Sequence, residues 1–222
     1  MGMDILLLED DGHWTHIVKL KYSKSHRITD FRHVPEALEA IKRNNKDFGL
    51  VIADYRIGKI NGDALFYSTQ ELYASEMSHR DMPFFVMYTA HPDIAEEFSD
   101  PEYEGIAAVV KPDSQELLAK AIAKVNQAVK DVDDLTAKNK LYQKVFRYGI
   151  NRAPMWRQVL EQMAACRQMY DKYIEDNIER KINHWKALRC LDRWMRLKNK
   201  FPDYAKRDET FKELAAWYES IG

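Results

Sequence analysis

Five short, largely apolar runs recur along the first 129 residues, and this pattern constrains the fold more than any other feature of the sequence. The runs cover residues 4–8, 27–31, 50–53, 84–87 and 107–110, the second being the weakest. Amphipathic stretches between them predict helices at about 13–20, 35–41, 63–76 and 93–98, and a longer helix from Asp113. Apolar strands that alternate with helices are typical of a parallel sheet covered on both faces. The sequence therefore predicts an α/β fold with a doubly wound, five-stranded parallel sheet.

The pattern changes after about residue 130, where no strand candidate remains. Apolar residues now recur every three or four positions, which predicts helices. Residues 155–200 contain neither Pro nor Gly, so they form either one helix or two helices joined near Asn177. Pro202 ends this region, and a last short helix is expected at 208–220. We predict two domains, an α/β domain at 1–129 and an all-helical hairpin or bundle at 130–222.

The formal net charge of -1 conceals an asymmetry between these two parts. Residues 1–130 hold 15 basic and 21 acidic residues, a net charge of -6. Residues 131–222 hold 19 basic and 14 acidic residues, a net charge of +5. The near-neutral total therefore does not exclude a nucleic-acid or acidic-protein partner for the helical part.

Five cations lie on one face of the helix predicted around residue 190. At about 100° per residue they fall within a narrow arc, and large apolar side chains cover roughly the opposite half. The cations are Lys186, Arg189, Arg193, Arg196 and Lys200. Two interpretations stay open: a solvated face, or a surface that docks nucleic-acid phosphates or an acidic protein. The apolar side must pack against other helices of this chain or of a second copy, and a homodimer through the helical half is one expectation.

Cys166 and Cys190 are too few for a disulfide framework, and buried, reduced thiols are expected. If both lie on one helix they are roughly 36 Å apart, which excludes a bridge along that helix. The longest apolar runs, 5–8 and 83–88, are far below the ~18 residues that span a bilayer. No basic segment follows the first Met, as a secretory signal requires. We expect a cytoplasmic protein without membrane insertion.

Charged and polar residues follow the predicted strands at the points where they end. Glu9 and Asp10 follow the first strand, Asp54 the third, Thr89 the fourth, and Lys111 the fifth. In a parallel sheet these groups project into one crevice. Clustered carboxylates repel one another unless a hard divalent cation is bound, and oxygen ligands suit Mg²⁺. With a hydroxyl and an ammonium opposite, the set is suited to holding a phosphoryl group, and a carboxylate beside the metal can accept it.

In their order and spacing, these residues resemble the receiver domain of bacterial two-component response regulators, which has a flavodoxin-like fold. The resemblance covers residues 3–129, and it does not extend to the helical part. The matching motifs are Ile5-Leu6-Leu7-Leu8-Glu9-Asp10-Asp11, Val51-Ile52-Ala53-Asp54-Tyr55-Arg56, Asn61-Gly62, Tyr88-Thr89-Ala90 and Val109-Val110-Lys111-Pro112.

The resemblance implies a role for each residue of the crevice. Asp54 would be the phospho-acceptor, receiving its phosphoryl group from a sensor histidine kinase or a phosphotransfer protein. Asp10 would bind Mg²⁺ directly and Glu9 through water, with Asp54 and the Arg56 backbone carbonyl as further ligands. Thr89 would bind a phosphoryl oxygen, and Lys111 would pair with the phosphoryl charge.

The sequence departs from the family pattern at several positions. Gly58 stands where the loop after the acceptor usually has Pro, and Ala108 replaces the aromatic residue whose rotation normally follows the Thr. Arg56 and His91 occupy positions that border the attacking water in this family. A cation at Arg56 would shield the phosphoryl group from hydrolysis, and His91 is either modulatory or a solvated loop residue.

The sequence thus predicts a response regulator that signals through a helical output domain by protein–protein interaction or dimerisation. It would catalyse only its own phosphorylation and dephosphorylation, and would not act on a separate substrate. The alternative is a nucleic-acid-binding transcriptional or post-transcriptional regulator that uses the basic face, although no helix-turn-helix of the usual form is found. A haloacid-dehalogenase-like enzyme is disfavoured, because that chemistry requires Asp-x-Asp at the first strand.

Overall fold

The computed structural model describes residues 2–43, 48–75, 81–100, 103, 105–112, 115–148, 152–196 and 202–221. The chain divides into two compact units. The sheet unit comprises residues 1–127 together with 176–182, and the helical unit comprises residues 128–175 and 183–222. Residues 176–182, expected in the helical domain, are grouped with the sheet unit by their contacts.

The sheet unit is built on five parallel strands in the order β2-β1-β3-β6-β7. The strands are β1 (Asp4–Leu8), β2 (Arg27–Phe31), β3 (Leu50–Ala53), β6 (Phe84–Thr89) and β7 (Ile106–Val110). All residues of β3 and β6 are buried, as expected for central strands covered on both faces. The predicted α/β class and five-stranded parallel sheet are confirmed.

Helices follow the strands as predicted. They are α1 (Gly12–Tyr22), α2 (Val34–Arg43), α3 (Asp63–Ser75), α4 (Pro92–Glu97) and α5 (Gln115–Tyr148). Asp11 caps α1 by accepting a hydrogen bond from the His13 N–H at 2.7 Å. Pro92 occupies the first turn of α4, where its missing N–H costs little. The predicted start of α5 at Asp113 lies outside the described residues.

A small antiparallel hairpin between β3 and α3 was not predicted. It pairs β4 (Arg56–Ile57) with β5 (Ile60–Asn61). Gly58 makes the turn with a φ of 59°, a left-handed conformation that favours glycine. Each strand has only two residues, too few for a periodic pattern to reveal them.

The helical unit contains the second part of α5, α6 (Arg152–Asp171), most of α7 (Asn177–Met195), α8 (Pro202–Arg207) and α9 (Glu209–Ile221). The all-helical prediction for this part is confirmed. Of the two arrangements left open for 155–200, the structure has two helices, separated by residues 172–176. The short helix α8 begins at Pro202, where the sequence analysis expected only an end.

The apolar core of the helical unit joins α5, α6, α7, α8 and α9. Fully buried side chains include Val159, Met163, Leu191 and Trp194. Cys166 lies on α6 and Cys190 on α7, and both thiols are free and buried, as predicted. The exclusion of a bridge applied only to one helix that carries both cysteines, and the break at 172–176 removes that premise. No helix in the described part of the chain combines the length and the apolar content that crossing a bilayer requires.

Candidate functional site

The ends of four neighbouring strands bring the predicted residues to one edge of the sheet. Strands β1, β3, β6 and β7 lie side by side and end at residues 8, 53, 89 and 110. Hydrogen bonds continue just past the strands: the Asp54 N–H donates to the Leu8 carbonyl at 2.9 Å, and the Lys111 N–H donates to the Thr89 carbonyl at 2.7 Å. The residues that follow β3 and β7 are therefore held by the sheet itself.

Three carboxylates form a cluster at this edge. One oxygen from each of Glu9, Asp10 and Asp54 lies within 4.8 Å of the others. Glu9 is buried, with 2% of its surface exposed, whereas Asp10 is exposed and 16% of the Asp54 side chain is exposed. The cluster thus has one buried wall and one side open to solvent.

Lys111 bridges the buried side of this cluster. Its ammonium lies 2.6 Å from Glu9 Oε2 and 3.2 Å from Asp54 Oδ2, and only 2% of its side chain is exposed. Two buried ions of opposite charge are tolerated because each is the partner of the other. The same ammonium also contacts Asp54. It therefore lies close to the negative charge that a group transferred to this carboxylate would carry.

Two aromatic rings flank the Lys111 ammonium. Its nitrogen lies 5.3 Å from the centre of the Trp14 ring and 5.2 Å from that of Tyr88, within cation–π range. The two rings meet edge to face at 5.9 Å. The sequence analysis did not identify Trp14, because nothing in its spacing shows that α1 places it over the end of β7.

Burial raises the pKa of Glu9 to about 7, and the hydrogen bond and charge of Lys111 only partly offset this effect. The carboxylate of Asp54 acts in the same direction as burial. A cation bound close to the cluster would lower the pKa of Glu9, since a nearby positive charge favours the charged form of each carboxylate.

The Thr89 side chain is fully buried at the end of β6. Its hydroxyl oxygen accepts a hydrogen bond from the His91 N–H at 3.1 Å. His91 is the residue that precedes the first turn of α4, and its own side chain makes no capping hydrogen bond. The Thr89 hydroxyl is therefore connected directly to the start of α4.

The loop after Asp54 closes over the other side of the cluster. The Gly58 N–H donates to Asp10 Oδ2 at 2.9 Å, which ties the turn of the β4–β5 hairpin to this carboxylate. Arg56, predicted to offer a carbonyl ligand, is exposed at the start of that hairpin. A Cβ at Gly62 would lie 1.9 Å from the Asp54 carbonyl oxygen, so the loop requires glycine there.

The residues present fit a hard divalent cation. Three carboxylates at this spacing offer only oxygen donors, and at least one side of the cluster is open to water, as Mg²⁺ prefers. The residues that would hold it are Asp10 and Asp54, with Glu9 nearby. The nearest ammonium is held against Glu9 and Asp54 and leaves Asp10 for the metal.

Ala108 stands where the family that the sequence resembles has an aromatic residue. It is half-buried on β7 and packs against the core of the sheet unit, and its methyl group has no rotamers.

The basic face predicted for α7 is largely engaged within the helical unit. Lys186 pairs with Asp131 of α5, and Arg196 pairs with Asp192 on its own helix. Arg193 donates to the Val132 carbonyl and lies 3.4 Å from Asp133. Arg189 is half-buried, and Lys200 lies outside the described residues.

No protein-family model and no curated protein sequence matches the chain. Solved structures do, and several are receiver domains of response regulators. The Francisella response regulator 1452 receiver domain is 18% identical, with a TM-score of 0.44 over 57% of this chain and 98% of that one. Response regulator TrrA from Thermotoga maritima, in complex with Mg²⁺ and beryllofluoride, is 20% identical, with a TM-score of 0.43 over 56% of this chain and 99% of that one.

A protein named adenylate cyclase from Rhodopirellula baltica is 22% identical, with a TM-score of 0.49 over 64% of this chain and 97% of that one. Such likenesses concern the fold alone. The receiver-domain structures cover about 60% of the chain.

Proposed function

We propose that the chain is a two-component response regulator that is phosphorylated on Asp54 and signals through its helical unit. The observation that carries the proposal is the position of Lys111, whose ammonium lies 3.2 Å from Asp54 beside a cluster of three carboxylates. An acceptor carboxylate, a cation site and a fixed positive charge are the groups that phosphoryl transfer requires.

Each side chain has a task in this chemistry. An oxygen of Asp54 attacks phosphorus in line with the leaving imidazole of a phosphohistidine, the new P–O bond forms and the P–N bond breaks. Lys111 and the Thr89 hydroxyl hold the phosphoryl oxygens as negative charge gathers on them. Mg²⁺, when bound at Asp10 and Asp54, supplies positive charge that offsets the repulsion between carboxylate and phosphoryl group.

The signal has a short path out of this site along α4. The Thr89 hydroxyl oxygen accepts the His91 N–H, and α4 has only six residues before it ends at Glu97. When the Thr89 hydroxyl rotates to donate a hydrogen bond to a phosphoryl oxygen, the hydrogen bond that it accepts from the His91 N–H changes its geometry. The start of α4 is then the first part of the backbone to be affected. With Ala108 on β7, we infer that α4 takes the place of a rotating aromatic ring.

The far end of α4 is bound by a buried lysine from α7. The Lys181 ammonium donates to the backbone carbonyls of Phe98, Asp100 at 3.0 Å and Tyr103 at 2.9 Å, and the residue is 2% exposed. These carbonyls lie at and after the C-terminal end of α4, where a positive charge is favourable. Lys181 therefore acts as a cap for α4.

Further contacts hold residues 176–182, here called the docking segment, to the sheet unit. The Asn177 side-chain amide donates to the Ser99 carbonyl at 2.9 Å. Lys120 of α5 pairs with Asp176, and Lys124 of α5 pairs with Glu179. The Lys120 hydrogen bond lowers the pKa of Asp176, so this pair stays charged at neutral pH.

Residues 177–182 of the docking segment are the first part of α7, and α7 continues into the helical unit. A shift of α4 would therefore reach the helical unit along this one helix. We propose that phosphorylation weakens the hold of Lys181 on α4 and so changes what the helical unit presents to its partner. A sensor histidine kinase or phosphotransfer protein is the proposed phosphodonor.

The test uses beryllofluoride, which mimics a phosphoryl group on a carboxylate, with Mg²⁺ and the full chain. Calorimetry should show one bound beryllofluoride for the wild type and none for Asp54→Ala. Hydrogen exchange of the same samples should increase in 92–100 and 176–182 on binding. A wild type that binds no beryllofluoride would refute the phospho-acceptor role, whereas binding without faster exchange at 176–182 would refute only the proposed path.

A nucleic-acid-binding output receives no specific support from the helical unit. Two of the predicted cations, Lys186 and Arg193, already face acidic residues of α5. The alternative stays a prediction, and it requires binding that weakens with salt through counterion release.

A further inference from the structure

Two cysteines meet in the core of the helical unit, one from α6 and one from α7. Cys166 is 3% exposed and Cys190 is fully buried. Their thiols are hydrogen-bonded to each other. Both belong to one buried apolar cluster that also contains Met163 and Trp194, so the pair lies in a dry environment.

The pair is asymmetric. The hydrogen bond from Cys190, helped by the positive charge of Lys186, lowers the pKa of the Cys166 thiol. The same hydrogen bond, together with burial, raises the pKa of Cys190. The asymmetry favours Cys166 over Cys190 as the site of the thiolate, the nucleophilic state of cysteine.

We propose that Cys166 and Cys190 are a reversible dithiol–disulfide pair, a modification site that links α6 to α7 and takes a small hydroperoxide as its oxidant. The sulfur of Cys166 attacks the terminal peroxide oxygen, the O–O bond breaks, and Cys166 becomes a sulfenic acid while the peroxide leaves as an alcohol or as water. The sulfur of Cys190 then displaces the hydroxyl, which departs as water with the thiol proton. Overall the two thiols lose two electrons and two protons, and the hydroperoxide is reduced.

The geometry suits this step. Sulfur atoms already within hydrogen-bond reach need only approach to about 2.05 Å to be bonded. A small neutral hydroperoxide can enter these apolar surroundings more easily than a bulky or charged disulfide reagent can. The residues of the pair come from opposite sides of the 172–176 break, so the bond would join two separate helices of the unit.

The experiment needs only the full wild-type chain and two variants. Reduced protein is treated with hydrogen peroxide, unfolded in N-ethylmaleimide and weighed intact. Two labels are expected before oxidation and none after it, and the oxidised chain should have lost the mass of two hydrogen atoms. The two cysteine peptides should be linked within one chain. Dithiothreitol should restore both labels. Cys166→Ser should leave Cys190 labelled throughout, and Cys190→Ser should leave a sulfenic acid on Cys166 that dimedone traps.

Two labels that persist in peroxide, or a bond that joins two chains, would overturn the proposal. A second readout is the urea midpoint of the helical unit, which a cross-link raises by restricting the unfolded chain. Peroxide should raise this midpoint in the wild type and leave it unchanged in Cys166→Ser. An unchanged midpoint in the oxidised wild type would contradict a link between α6 and α7. None of these outcomes depends on the phosphorylation of Asp54.

Discussion

Gly62 lies against the carbonyl of Asp54, and a side chain has no room there. A Cβ would come within 1.9 Å of that oxygen, a backbone atom that cannot swing aside. Gly62→Ala should therefore lower the free energy of unfolding of the sheet unit by about 2–4 kcal/mol, measured by urea unfolding. Gly12→Ala is the matched control, since its Cβ meets nothing within 4 Å, and it should be neutral or stabilising by about 0.5–1 kcal/mol. Equal losses in both variants would contradict the steric explanation.

Glu9 gives the site a pH dependence in the absence of a cation. Its pKa rises from 4.5 to about 7 on folding, so the folded chain binds this proton more tightly than the unfolded chain. The contribution of Glu9 to stability is therefore greatest below about pH 4.5 and is lost as the pH rises toward 7. The loss amounts to a few kcal/mol at most, ~1.4 kcal/mol for each pKa unit.

Urea unfolding in chelator at about pH 5 and about pH 7.5 measures this slope. Glu9→Gln mimics the protonated acid and should flatten it, whereas the exposed control Glu36→Gln should leave it as in the wild type. A slope that survives in Glu9→Gln would show that another group is responsible.

The sequence predicted the site residues at strand ends, and it did not predict their surroundings. The runs that precede Asp54 and Lys111 end where their strands end, so these two residues could be placed from the pattern alone. Strand β6 continues two residues beyond its predicted run and ends at Thr89 itself. The contact of Trp14 with Lys111 depends on how α1 packs over the sheet, and the close approach of Gly62 depends on the path of a loop. Neither leaves a periodic trace in the sequence.

At the scale of single elements, α4 is held at both ends, by Thr89 at its start and by Lys181 at its end. Lys181→Met keeps most of the side-chain volume but leaves three carbonyls without their ammonium, and it should destabilise the sheet unit by about 2–4 kcal/mol in urea. Hydrogen exchange should rise at 92–100 and 176–182. Lys24→Met, an exposed lysine of the same unit, is the control and should change neither quantity. If both variants behave alike, Lys181 does not cap α4.

The break between α6 and α7 shows what sequence reasoning about helices can miss. The absence of Pro and Gly left one helix or two as open alternatives. Asp176 accepts the Glu179 N–H at 3.0 Å and caps α7, and the spacing Asp-x-x-Glu is a helix-start pattern that was present in the sequence. By contrast, the docking of residues 176–182 on α4 is a long-range contact, and no local pattern encodes it.

At the scale of the whole molecule, the proposed path links Asp54 to the docking segment. If a phosphoryl group and Lys181 favour different positions of α4, each must weaken the other by the same factor. Lys181→Met should then bind beryllofluoride with Mg²⁺ more tightly than the wild type, by about 5- to 100-fold in calorimetry. Unchanged affinity, with the wild type binding normally, would separate the acceptor site from the helical unit.

The structure shows where some of the cations behind the charge asymmetry of the chain lie. Several cations of the helical part have partners within the chain: Lys186 pairs with Asp131, and the buried Lys181 binds backbone carbonyls. Composition alone could not distinguish such internal cations from a surface for an acidic partner, because both give the same sum.

Asp54 is proposed to accept a phosphoryl group, and intact-mass measurement after reaction with a small phosphodonor tests this role. Phosphoramidate carries the P–N bond of a phosphohistidine and needs no kinase. With Mg²⁺, the wild type should gain the mass of one phosphoryl group, carried on the peptide that contains Asp54 and lost in hydroxylamine, as an acyl phosphate must be. Asp54→Asn, and the wild type in chelator, should gain nothing. A wild type that stays unmodified, or a phosphoryl group that persists in Asp54→Asn, would contradict the account.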